Sequence, residues 1–323
     1  MRQHVHPASH KNSALRVNFL FYLYTMIKTV FDANFLSSGD QIRLLKTRGL
    51  SFKDESKALH LLDNISYFRL KSYLLPFISN KQTGLFKKDS RFEDSYLLYK
   101  FDSALRKLIY VELEKIEISL RTQVSQNFAM AHGLYWFSDA SLFSDACKHS
   151  NILGNVESEL NRSDDDQILS FKKTHNEPFP PSWMTMEVTS FGTLSLLFKY
   201  MNKGRTKRRI AKYYGIADSI LESWIHSFVY VRNICAHHSR LWNKTLRVIA
   251  CFPKKTALPF IREKVQNDKV YYILCLIRYM LQIISPNSSF TDRLKSLLQD
   301  YPSVDIKAMG FPIQWESEPL WSL

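Results

Sequence analysis

Glycine and proline are scarce in this chain, with 9 Gly and 11 Pro among 323 residues. Folds built from many tight turns, such as propellers or immunoglobulin-like sandwiches, need more of both and are excluded. Cysteine is scarce too. The four residues, at positions 147, 235, 251 and 275, show no paired pattern, so no disulfide framework is expected and a reducing, cytoplasmic setting fits. Acids are in the minority. The 30 Asp and Glu stand against 44 Lys and Arg, and the formal net charge of +14 favours a polyanionic partner, either nucleic acid or an anionic membrane surface. Long apolar runs are missing as well. The uncharged stretch at residues 17–27 is too short for a bilayer, which takes about 20 residues, and no small-residue cleavage site follows it. A start at Met26 is the alternative reading of residues 1–35, an N-terminal extension. What the chain does have is apolar and aromatic content, 45% and 14%. That is enough for a sizeable core and excludes disorder as the main state.

Helical periodicity dominates, and strand signals are few. The expectation is an all-α fold, with a helical N-terminal region at 36–91, a main helical domain at 92–250 and a C-terminal helical extension at 251–323. Two short helical patterns flank a turn at Arg48 and Gly49. A third segment, residues 64–77, ends at Pro76 before the turn-prone SNKQTG. From residue 92 to about 131 no Gly or Pro occurs, and Leu97, Phe101, Leu105, Leu108, Leu113, Ile116 and Leu120 recur at helical spacing. One long helix, or two in tandem, is predicted there, with Glu117 and Arg121 as a surface i, i+4 pair. Residues 132–182 read as a looser, lid-like connection. Helix resumes from Trp183 past Phe198, and a further helix is predicted over 218–242 with Asp218 as N-cap. The apolar stretch 270–284 reads as a buried helix.

The 218–242 helix carries the most unusual pattern. Leu221, Trp224, Ile225, Phe228 and Val229 make an apolar stripe, while His226, Tyr230, Asn233, His237 and Arg240 make a polar one. Arg232 continues the apolar stripe, where a charge is costly unless it is paired or faces a cleft. A polar stripe can also be a plain solvent-facing surface. Cys235, His237 and His238 do not suggest a metal site, because adjacent helical histidines point about 100° apart and no second pair follows at ligand spacing. No metal and no cofactor are expected. Nucleophile elbows, phosphate-cradling glycine loops and H-E-x-x-H are missing.

At this helix, LESWIHSFVYVRNICAHHSRLWN at residues 221–243 resembles the closing motif of the Abi-like (AbiD/AbiF-type) abortive-infection proteins of bacteria. Other blocks resemble the family in the same order: DQIRLLKTRGL at 40–50, NISYFRLKSYLLPF at 64–77, FDSALRKLIYVELEKIEISLRTQVS at 101–125 and PPSWMTMEVTSFGTLSLLFK at 180–199. The resemblance covers roughly residues 38–245. It implies a HEPN-type helical bundle, in which an R-x4-6-H motif forms a metal-independent ribonuclease site. Arg232, Asn233 and His237 match that motif, with His238 directly after.

Those residue types suit the chemistry. Metal-free RNA cleavage, by attack of a 2′-hydroxyl on the adjacent phosphate, needs a base, an acid and positive charge at the phosphorane. Histidine serves as base or acid near neutral pH. Arginine offers phosphate a planar fork of donors and keeps its proton. Asn233 can orient the imidazole or the ribose. One motif supplies one such His and one Arg, so a homodimer with a composite site is expected. Lys203, Arg205, Lys207, Arg208, Arg209 and Lys212, with Tyr213 and Tyr214 alongside, form the expected RNA-binding stretch. Tyr67, Phe68, Arg69, Lys71 and Tyr73 form a second basic and aromatic cluster. His226, Tyr230, His238 and Arg240 are supporting candidates. The function implied is an endoribonuclease toxin of phage defence, held silent by a small inhibitory RNA or a protein antitoxin. The rival is a HEPN-like module that grips RNA or a protein without cutting. A weaker third reading anchors residues 17–27 at a membrane surface.

Overall fold

The computed structural model describes residues 35–322. The N-terminal extension, with its uncharged run and Met26, lies outside those residues. Among the described residues the fold is all-α, with twelve α-helices and one small hairpin.

Helices α1 (Ser38–Thr47) and α2 (Glu55–Ile65) flank the turn at Arg48 and Gly49. Ser37 and Asp54 cap them, each accepting a backbone N–H three residues on. Ser66 adopts φ 69° and separates α2 from α3 (Tyr67–Leu74), so the 64–77 block is not one helix. The SNKQTG turn joins β1 (Ile78–Asn80) to β2 (Leu85–Phe86) in an antiparallel pair. These elements enclose a small core of Ile42, Leu45, Leu62, Leu70, Leu74 and Phe92.

Helix α4 (Phe92–His132) is the axis of the molecule. It runs unbroken for 41 residues because nothing in it stops a helix, and acids in its first turn and His132 in its last complement the dipole. Gly133, at φ 88°, ends it and donates its N–H to the Ala129 carbonyl. The looser segment expected after it is helical instead. Asp145 and Asp165 cap α5 (Ala146–Arg162) and α6 (Asp166–Thr174), and Ile152, Val156, Leu160 and Ile168 enter the main core. The helix expected from Trp183 past Phe198 is two helices, α7 (Ser182–Val188) and α8 (Phe191–Tyr200). The Ser190 hydroxyl breaks the run by accepting the Thr193 N–H as N-cap.

Helices α9 (Arg205–Tyr213) and α10 (Asp218–Ala236) follow, then α11 (Val270–Ile284) and α12 (Phe290–Asp300). Helices α8, α9, α10, α11 and α12 all contact α4, and one continuous hydrophobic cluster runs from Tyr73 to Trp321. Helix α11 is enclosed on nearly every side, as its apolar sequence predicts.

Candidate active site

Helix α10 lays Leu221, Trp224, Ile225, Phe228, Val231 and Ile234 into the core against α4 and α8. Ala217, not Asp218, occupies its N-cap position; Asp218 stands in the first turn. The larger departure is at the other end. The helix stops at Ala236 rather than near Trp242, so Arg240 is not on it and the five-residue polar stripe is broken.

The stop is a Schellman turn. The His238 N–H donates to the Cys235 carbonyl at 3.1 Å and the Ser239 N–H to the Ile234 carbonyl at 3.0 Å. Glycine usually holds the left-handed position of this motif; here His238 does, at φ 54°. His237 is the C-cap, its N–H bonded to the Asn233 carbonyl at 3.0 Å. The imidazole of His237 therefore leaves the helix at its carbonyl end.

The chain after the turn is fixed from below. Asp102 of α4, fully buried, accepts the Leu241 N–H at 3.2 Å and the Trp242 N–H at 2.6 Å. The same carboxylate takes the Tyr73 hydroxyl at 2.5 Å and pairs with the buried guanidinium of Arg106. Burial, with the Asp102 charge beside it, holds the Tyr73 phenol well above the usual tyrosine range. From α3, Arg69 donates to the His238 carbonyl at 2.6 Å. Local spacing gives no sign of this contact, which joins residues far apart in the chain.

Arg232 is half-buried and braced from the core side. Its Nε lies 3.7 Å from Glu117 Oε2, and its guanidinium stands 5.8 Å from the Phe191 ring centroid. Glu117 also accepts from Arg121 at 2.7 Å, and Arg121 donates to the Thr189 carbonyl at 2.9 Å. Glu117 and Arg121 are thus no surface pair. Arg121 is buried, and together they tie α4, the α7–α8 corner and α10 at Arg232. Sequence reasoning found the pair and missed its role, since its third member comes from another helix. The same i, i+4 spacing joins the buried Asp102 and Arg106 on this helix, so spacing alone does not separate a buried pair from a surface one.

Asn233 and His237 are exposed, and neither side chain bonds within the described residues. Five helical steps set Arg232 and His237 about 140° apart, so one copy turns the arginine toward α4 and α8 and the histidine outward. His226 and His238 are exposed, and Tyr230 and Arg240 are half-buried. A cavity of ≈ 380 Å³ opens beside the turn, lined by Lys107, Tyr110, Cys235 and His238 among others. Burial pushes the Cys235 thiol up to about 12, so it stays protonated at neutral pH. Among the described residues, no group of three or more His, Cys, Asp and Glu is placed to hold a metal ion.

The basic stretch divides. Arg205, Arg208, Arg209 and Lys212 share the outer face of α9, with Lys203 in the preceding turn, and all five are exposed. Lys207 does not belong with them. It lies on the inner face with Ile210 and Ala211, where its ammonium bonds the Lys199 carbonyl and Glu222 Oε2, each at 3.0 Å. Tyr214 is also buried, its hydroxyl bonded to Ser119, and burial raises its pKa. Tyr213 remains half exposed and, with Arg209, Lys212 and Gln126, lines a shallow cavity of ≈ 460 Å³. In the second cluster, Tyr73 is buried, whereas Phe68, Arg69 and Lys71 are exposed. No helix among the described residues is long and apolar enough to cross a membrane.

No curated protein and no solved structure matches the chain. A family model does. Residues 60–243 match the family described as Abi-like protein, a span that runs from within α2 to the loop that Asp102 holds. More than half of the chain lies in that match, and the chain belongs to the Abi-like family.

Proposed function

We propose that the chain is a metal-independent endoribonuclease toxin of abortive infection, with Arg232, Asn233 and His237 at its site. Family membership itself gives the coarser role, abortive infection as a form of phage defence. The observation that carries the finer reading is the contrast at the end of α10. Arg232 is braced by Glu117 and Phe191, while His237, five residues on, is presented to solvent at a helix end fixed by Asp102 and Arg69.

In this mechanism His237 exchanges protons with the attacking 2′-hydroxyl or the leaving 5′-oxygen, and Arg232 stabilises the charge that builds on phosphorus. Asn233, four residues before His237, orients the ring or the ribose. Because one motif supplies one such histidine and one arginine, the complete constellation comes from two copies across a two-fold axis, which supplies a base and an acid together. RNA reaches the site along Lys203, Arg205, Arg208, Arg209 and Lys212, with the exposed rings of Tyr213 and Phe68 as stacking surfaces. HEPN-type architecture and the AbiD/AbiF-type subgroup belong to the same proposal, as does restraint by a small RNA or a protein antitoxin.

A non-cutting RNA-binding module is the second reading. The exposed cationic face of α9 favours it, since that face serves binding with or without cleavage. The test uses purified full-length chain, RNA oligonucleotides and EDTA. Cleavage should persist in chelator and leave 2′,3′-cyclic phosphate ends, and a substrate with 2′-deoxyribose at the cut should resist. Binding without cleavage across a broad RNA panel would favour the second reading.

A further inference from the structure

Helix α11 carries one charged residue, Arg278, in a largely apolar, enclosed sequence. The residue is 7% exposed, and its Nε is buried without a hydrogen-bond partner. Among the described residues no ion pair reaches its guanidinium. Burial lowers its pKa, and the nearby Asp292 charge opposes that shift without forming an ion pair. A buried arginine does not escape the cost of its charge by losing a proton, so an unpaired one is expensive. By contrast, the other buried arginines among the described residues, Arg106 and Arg121, both have carboxylate partners.

Arg278 lines a cavity of ≈ 780 Å³ at the start of α12. Thr291, in the first turn of α12, lines it too, and its hydroxyl oxygen is also buried without a partner. The Ser289 side chain does not cap this helix; the Phe290 N–H donates to Ser288 Oγ at 3.3 Å, which leaves the Thr291 and Asp292 N–H groups for an anion. Lys295 stands one turn further along the same wall. Two carboxylates, Asp292 and Glu316, balance the two cations in charge, and Pro259 and Trp321 supply apolar surface.

We propose that this cavity binds a small phosphate monoester of nucleotide size. Its phosphate sits between Arg278, Thr291 and the N-terminal turn of α12. A balanced lining disfavours a polyanion such as an RNA strand, and it suits one phosphate accompanied by hydroxyl or amino groups that donate to Asp292 and Glu316. The apolar wall takes a ring. The site lies outside the family match, and its occupancy does not depend on the ribonuclease reading.

The test is calorimetric titration and thermal unfolding of the full chain with AMP, inorganic phosphate and adenosine. AMP should bind and raise the unfolding temperature, phosphate should bind more weakly, and adenosine should do neither. Arg278→Met should lose about 10–100-fold in AMP affinity, the effect of removing charged hydrogen bonds. Without ligand it should unfold at the same temperature or higher, because an unpaired buried charge has been replaced by an apolar chain. Thr291→Val and Lys295→Ala keep the test decisive if Arg278→Met fails to fold; each should weaken AMP binding several-fold. Failure of both AMP and phosphate to bind at millimolar concentration would overturn the proposal. So would adenosine binding as tightly as AMP, or unchanged AMP affinity in Thr291→Val and Lys295→Ala.

Discussion

Two neighbouring helices hold their cations in opposite ways. At the end of α10, Arg232 is braced through Glu117 to Arg121 and Thr189, and the turn after it is pinned by Asp102 and Arg69. On the outer face of α9, Arg205, Arg208 and Lys212 make no ion pair among the described residues, and Arg209 reaches only the Met130 sulfur. Fixed donors suit charge that develops at one point during a reaction, since they need no reorganisation. Loose cations suit a polyanion, whose attraction depends on their number more than on their placement.

That contrast separates the expected effects of mutation. Arg232→Lys should lower RNA cleavage by about 10²–10³-fold with little change in RNA affinity, because an ammonium cannot reproduce the bidentate fork. A rate within a few-fold of the parent would make Arg232 a simple charge. Asp102→Ala should cost about 3–5 kcal/mol in urea unfolding, because it leaves Arg106 buried without its partner. Stability equal to the parent would show that the turn is not held from α4.

Smaller effects are expected on α9. Replacing Arg205, Arg208 and Arg209 together with Ala should flatten the slope of log K against log salt by about 2, at about 0.7 per phosphate contact on a single strand. The helical content should stay the same. Lys207→Met should leave that slope unchanged and cost about 1–3 kcal/mol of stability, the loss of charge-assisted hydrogen bonds in the interior. A flattened slope in Lys207→Met would erase the distinction between the two faces. Least of all, His238→Gly should match or exceed the parent in stability by up to about 1 kcal/mol, since glycine carries no penalty at positive φ. A marked loss would mean that the His238 side chain, and not its backbone, holds the turn.

Much of this was legible in the sequence, and the failures share a cause. Helices α4 and α11 follow from long apolar periodicity without Gly or Pro. Helix α10 ends at Ala236, short of what periodicity predicts, because a histidine ends it where glycine is expected and the residues beyond continue an apolar rhythm. Periodicity alone does not divide α7 from α8, because Ser190 caps a helix between two apolar runs. In the basic stretch, the run of cations hid the i, i+3, i+4 spacing of Lys207, Ile210 and Ala211 that marks the buried face. The contacts Glu117–Arg232 and Arg69–His238 were out of reach, because they join residues distant in sequence and depend on how helices cross. Local signals thus located the candidate motif, while its supports required the tertiary fold.

The most direct test of the proposed chemistry compares His237→Ala with His238→Ala in single-turnover RNA cleavage by the purified full-length chain. Losing the acid–base group should reduce the rate of His237→Ala by about 10²–10⁴-fold, while His238→Ala, whose contribution is the backbone turn, should stay within a few-fold of the parent. Cleavage by His237→Ala at the parental rate would contradict the assignment of the end of α10 as a ribonuclease site.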